Sequence, residues 1–77
     1  MNIAIIGYGK MGKAIEEIAL QRHHAIILKI DEFNISDFTK ENLSRADVAI
    51  EFTGPHSAYE NVKKTIDFGC PLVCGST

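Results

Sequence analysis

Apolar residues run without interruption through Ile3-Ala4-Ile5-Ile6, then recur at steps of three and four from Met11 through Ala14, Ile15, Ile18 and Ala19. The first pattern leaves no polar face and predicts a strand over residues 2–6 that is covered on both sides. The second, with Lys13, Glu16, Glu17 and Gln21 on the other side, predicts an amphipathic helix of about three turns from Lys10 to about Arg22. His23-His24 falls at its end, where a cation interacts favourably with the helix dipole, and reads as helix termination rather than a metal pair. Ala25–Ile30 predicts a second strand ending in Asp31-Glu32, and Ala46–Phe52 a third, built on Val48, Ala49, Ile50 and Phe52. Glu51 within it must lie near the surface or be paired.

The about 15 residues between strands two and three offer Ser36, Asp37 and Thr39 as caps and Leu43 as one apolar anchor, room for a helix without a further full strand. Ser57-Ala58-Tyr59-Glu60 fits a capping box and predicts a helix through Val62 and Ile66 to about Phe68. Gly69 stops it, and Pro71 leads into a fourth strand, Leu72–Gly75. Strands alternating with helices imply an α/β fold with a parallel sheet. Strand three placed beside strand one, away from strand two, gives the order 2-1-3-4. The switch point then falls between Gly7 and Thr53, where open sheets of this kind bind ligands.

A length of 77 residues allows one small domain whose folding buries about 60% of the unfolded surface, so the unit reads as abbreviated and incomplete. Eight basic residues against ten acidic ones, a net charge of −2 with no charge run, give no footprint for nucleic acid. The apolar stretches fall far short of the roughly 20 residues of a membrane helix, and the N-terminus has no signal-peptide pattern. The expected compartment is the cytoplasm. Cys70 and Cys74 match neither a zinc site nor a disulfide framework and are expected to be buried, reduced thiols, Cys74 packing as a small hydrophobe.

The chemistry sits at Gly7-Tyr8-Gly9-Lys10-Met11-Gly12, which leaves the first strand and opens the first helix. That context distinguishes a dinucleotide fingerprint from chance glycines: unpaired helix amides and the positive end of the dipole favour a ligand's phosphates there. Gly7 would allow the tight exit, Gly9 the approach of the pyrophosphate to the backbone, and Gly12 close packing of helix on strand. Asp31, 31 − 7 = 24 residues past the first glycine, is placed to accept hydrogen bonds from the adenosine ribose hydroxyls. Its charge opposes a 2′-phosphate and favours NADH over NADPH, whereas Lys10 would suit either a phosphate or plain solvation. His56, in Thr53-Gly54-Pro55-His56, fits both an acid–base role and an ordinary loop. Gly75-Ser76-Thr77 lies on the same ligand side of the sheet.

Three motifs together, Gly7–Gly12, Asp47-Val48-Ala49-Ile50-Glu51-Phe52-Thr53 followed by Pro55, and Val73-Cys74-Gly75-Ser76-Thr77, resemble the N-terminal cofactor domain of the dihydrodipicolinate reductases. The first motif is shared with many dehydrogenases; the other two, in this order, are more specific. The resemblance covers nearly the whole chain. It implies a Rossmann-like domain binding NADH or NADPH, within a homo-oligomeric reductase of lysine and diaminopimelate biosynthesis that passes hydride to a cyclic imine dicarboxylate. Carried over, Lys10 and Met11 hold the pyrophosphate and Asp31 the ribose. Phe52, Thr53, Gly75, Ser76 and Thr77 face the reacting ring, Thr77 also meeting the small-molecule substrate. Ser76 stands where the family usually has threonine, Glu32 where some members have arginine for a 2′-phosphate, and Gly54 where a basic residue is frequent. The family's catalytic His-His and lysine motif belongs to a C-terminal domain; His23-His24 is not that motif, and no catalytic residue is expected within residues 1–77. The rival readings are the cofactor domain of another amino-acid-pathway dehydrogenase, and a non-enzymatic module that senses NADH.

Overall fold

Strand β1 (Asn2–Ile6) occupies an inner position of a four-stranded sheet, with β2 (Ala25–Ile30) on one side and β3 (Val48–Glu51) then β4 (Leu72–Cys74) on the other. Every pairing is parallel, so the order is the expected 2-1-3-4. The computed structural model describes residues 1–75. Ile3 to Ile6 are all buried, as a strand covered on both faces requires. Pairing with β2 slips by one residue between Ile3 and Ala4, leaving Ile27 as the extra residue of a bulge.

Alternation along the strands splits the core in two. Ile3 and Ile5 pack with Ala19 of α1 (Lys10–Gln21), flanked by Ile15, Ile26, Val48 and Ile50. On the other face Ala4, Ile6, Ile30 and Ala49 pack with Phe38, Leu43 and Cys70. The connection from β2 to β3 contains a 3₁₀ turn (Ile35–Asp37) and the short helix α2 (Lys40–Leu43), whose N-cap Thr39 accepts from the Asn42 amide at 3.1 Å. Leu43 is the expected anchor, but Phe38 is as deeply buried and meets Phe68 edge to face at 6.1 Å.

Several boundaries move for identifiable reasons. α3 runs Pro55–Asp67, so it starts two residues before the anticipated capping box. Proline at the first helical position needs no amide partner and has a pre-set φ, and Gly54, at φ 114°, turns the chain into it. Ser57 therefore lies inside the first turn, its own amide and that of Ala58 donating to the Gly54 carbonyl at 3.2 and 2.9 Å, and the capping box does not form. On α3 the buried position is Thr65, its hydroxyl donating to the Asn61 carbonyl at 2.7 Å, while Ile66 points outward. On α1 the helix comes down on Gly12 and Ala19, which leaves Met11 and Ile18 of the anticipated apolar stripe 55% and 53% exposed. β3 is shorter at both ends than expected. Cys74 is also a correction: Cys70 is buried, its thiol pKa pushed up by burial, but Cys74, near the tip of an edge strand, is exposed.

Candidate functional site

The carboxyl ends of β1 and β3 carry loops that close on each other. The Gly7 amide donates to the Ile30 carbonyl at 2.8 Å and the Phe52 amide to the Ile6 carbonyl at 2.8 Å, so both loops leave the sheet in register with their neighbours. Gly7 adopts φ 100°, and a Cβ there would overlap the Phe52 carbonyl. A side chain is thus excluded twice, by conformation and by the abutting backbone. Gly12 sits beneath Gly7, where a Cβ would overlap the Gly7 carbonyl; its role is the close helix-to-loop contact. Gly9 differs, with no atom within 4 Å of a notional Cβ. Among the described residues nothing crowds a side chain there, which leaves the backbone open to whatever approaches the loop.

Gly9 is also the N-cap of α1, which has no side-chain cap and no acidic residue in its first turn. Amides at this helix start face outward beside the positive end of the dipole, which suits an anion. Asp31, at the end of β2, is held by its own turn. Its Oδ1 accepts from the Phe33 amide at 2.8 Å, its amide donates to Asn34 Oδ1 at 2.7 Å, and Asn34 Nδ2 donates to the Lys29 carbonyl at 2.6 Å. These bonds fix the carboxylate at the mouth of the site.

Past β3 a buried carboxylate organises the third wall. Glu51 is fully buried; its Oε2 accepts from the Thr53 amide at 3.0 Å and from the Thr53 hydroxyl, and its Oε1 accepts from Cys74 Sγ at 3.2 Å. Asn61 Nδ2 of α3 donates to Thr53 Oγ1 at 3.1 Å. Sequence reasoning left Glu51 as surface or paired; it is paired, and it ties the ends of β3 and β4 together.

Between these walls lies a cleft of about 630 Å³, within the range of small-molecule and cofactor sites. Gly7, Tyr8 and Gly9 line it from β1, Asp31 and Glu32 with Phe33 and Ile35 from β2, and Phe52, Thr53, Ser57 and Asn61 from β3 and α3. Six expected site residues therefore share one cavity: Gly7, Tyr8, Gly9, Asp31, Phe52 and Thr53. Lys10 and Met11 are exposed on the first turn of α1 outside that lining, and Gly75 packs against the Phe52 ring. Ser76 and Thr77 lie outside the described residues. His56 is exposed and not part of the cleft. Missed from the sequence were Ser57 and Asn61, one helical turn apart on the side of α3 that faces the cleft; their i, i+4 spacing is the only signal that pointed to them.

One further cluster flanks the glycine loop. The Tyr8 hydroxyl donates to Glu16 Oε1, and Glu16 Oε2 is 3.1 Å from Lys29 Nζ. The tyrosine bond, and then the lysine, hold the Glu16 carboxyl below the usual range; the same contacts with Glu16 raise the Tyr8 phenol and the Lys29 ammonium.

Comparison with known proteins follows the same lines. The family model described as dihydrodipicolinate reductase, N-terminus, matches residues 1–77. The chain is 40% identical over 81 aligned positions to a 4-hydroxy-tetrahydrodipicolinate reductase of Christiangramia forsetii, covering 100% of this chain and 31% of that protein. It is 32% identical to the enzyme of the same name from Staphylococcus saprophyticus and 30% to that from Staphylococcus haemolyticus, covering 34% of each. The chain thus spans about a third of the length of these relatives.

Proposed function

This chain belongs to the dihydrodipicolinate reductase family, and we propose that it is the dinucleotide-binding part of an NAD(P)H-dependent 4-hydroxy-tetrahydrodipicolinate reductase. The observation that carries the reading is the convergence of an open, uncapped helix start at Gly9 and a pinned carboxylate at Asp31 on one cleft. The α1 amides and the bare Gly9 backbone would receive the pyrophosphate, with Lys10 and Met11 at the rim. Asp31 would accept from the adenosine ribose hydroxyls. Phe52 and Thr53, with Gly75, Ser76 and Thr77, would border the reacting ring, Thr77 meeting substrate. A reduced nicotinamide bound in this cleft would supply the hydride for a cyclic imine dicarboxylate, and the chain's own residues would orient the cofactor and exclude water. Substrate polarisation and protonation are assigned to residues of a C-terminal domain beyond these 77, in a cytoplasmic homo-oligomer.

Asp31 and Glu32 both line the cleft, and two carboxylates near the ribose would oppose a 2′-phosphate, which supports NADH as the favoured cofactor. Calorimetric titration of the protein with NADH and NADPH tests this. NADH is expected to bind at least about tenfold more tightly, about 1.4 kcal/mol, and Asp31→Ala to narrow the gap. Equal affinities refute the role of Asp31, and no binding of either nucleotide refutes the cofactor reading. Saturation-transfer contacts from pyridine-2,6-dicarboxylate to the full-length protein would separate this reductase from other dehydrogenases of amino-acid metabolism, and no response would count against it.

A further inference from the structure

Tyr8 is the one side chain between the two glycines of the phosphate loop, and its contacts lie on the flank of the domain. The ring packs on the Ile3, Ile5 and Ala19 cluster, and its hydroxyl donates to Glu16 Oε1, about two turns along α1. Glu16 Oε2 meets Lys29 Nζ of β2 at 3.1 Å, and the same ammonium stands 5.0 Å from the Tyr8 ring centroid. Lys13 Nζ also stands 5.7 Å from the ring centroid. Three elements, the loop, α1 and β2, thus meet at one hydrogen-bonded carboxylate.

We infer that Glu16 is a positioning residue for the phosphate cradle, acting through Tyr8. This rests on the dinucleotide reading above. Glycines on either side give residues 7–9 more backbone freedom than any other residue type would, and a loop that samples many shapes must be ordered when its ligand arrives. The bond from the tyrosine hydroxyl draws the only available handle onto the flank and keeps the loop in the shape that leaves the first amides of α1 open. Lys29 balances the carboxylate, so the anchor adds no uncompensated negative charge beside the phosphates. Glu16 and Lys29, which do not line the cleft, thereby act on the site through Tyr8, which does.

The test measures NADH and adenosine binding to the intact protein carrying Tyr8→Phe, Glu16→Ala, both changes together, or Glu16→Gln, with a thermal melt of each variant. Tyr8→Phe and Glu16→Ala are each expected to weaken NADH binding by about tenfold, and the double variant no further, because both remove one bond. Glu16→Gln retains an acceptor oxygen and is expected to stay within about threefold of the parent, losing only a half-exposed ion pair. Adenosine, which has no pyrophosphate, is expected to bind all variants alike. NADH affinities within twofold of the parent, or an equal loss for adenosine, overturn the inference while leaving the cofactor reading intact. Failure of the unaltered protein to bind NADH overturns both. Should Glu16→Ala not fold, Tyr8→Phe against Glu16→Gln decides alone.

Discussion

Gly9 and Gly12 belong to one fingerprint, yet they answer to different neighbours. A methyl group at Gly12 would run into the Gly7 carbonyl, a backbone contact rather than the end of a flexible side chain; at Gly9 it would meet open space among the described residues. Gly12→Ala is therefore expected to cost about 2–3 kcal/mol of stability, as overpacking against an unyielding contact does. Gly9→Ala is expected to cost about 1 kcal/mol or less, the difference between glycine and alanine at an N-cap, but to weaken NADH binding sharply. Urea denaturation beside calorimetry separates the two; a Gly9→Ala variant that binds NADH normally would remove the pyrophosphate from that loop. The spacing of the glycines was legible in the sequence, and so was the acid that ends β2. The separate roles of the glycines were legible too; that the group Gly12 closes on is the Gly7 carbonyl was not, because that is a contact between separate elements.

Helix starts show how local signals compete. Ser57-Ala58-Tyr59-Glu60 satisfies a capping pattern, but Gly54-Pro55 lies just upstream and begins the helix first. Once residue 57 is inside the first turn its hydroxyl has no cap to make, whereas Thr39 makes a true one to the Asn42 amide. Thr39→Ala is expected to destabilise the protein by about 1 kcal/mol, and Ser57→Ala by under about 0.5 kcal/mol, in equilibrium urea unfolding. Equal losses would mean that the serine caps α3 after all. The amphipathic stripe of α1 was read too broadly for a related reason. Close seating on Gly12 and Ala19 narrows the contact, so Met11 and Ile18 stay on the outer side although their periodicity is that of a core face.

Across the whole molecule, two small clusters on either side of one sheet carry the stability, and the larger depends on a segment with little regular structure. Phe38, beyond the 3₁₀ turn, is buried against Leu43, Ile30 and Phe68. Phe38→Ala is expected to remove about 3–5 kcal/mol, a large share of what a domain this size holds, and to lower the thermal midpoint by well over about 10 °C in circular dichroism. A shift of only a few degrees would place the core elsewhere. The chain's apolar periods determined the alternation of strands and helices, and its glycine and acid spacing determined where a dinucleotide would sit, because both are encoded by neighbours within a few residues. Tertiary structure alone decided that Glu51 is buried and ties β3 to β4, that Ser57 and Asn61 wall the cleft, and that Glu16 anchors Tyr8. Each of those depends on groups from separate elements meeting, and no local pattern records which side chains a folded sheet will bring within reach.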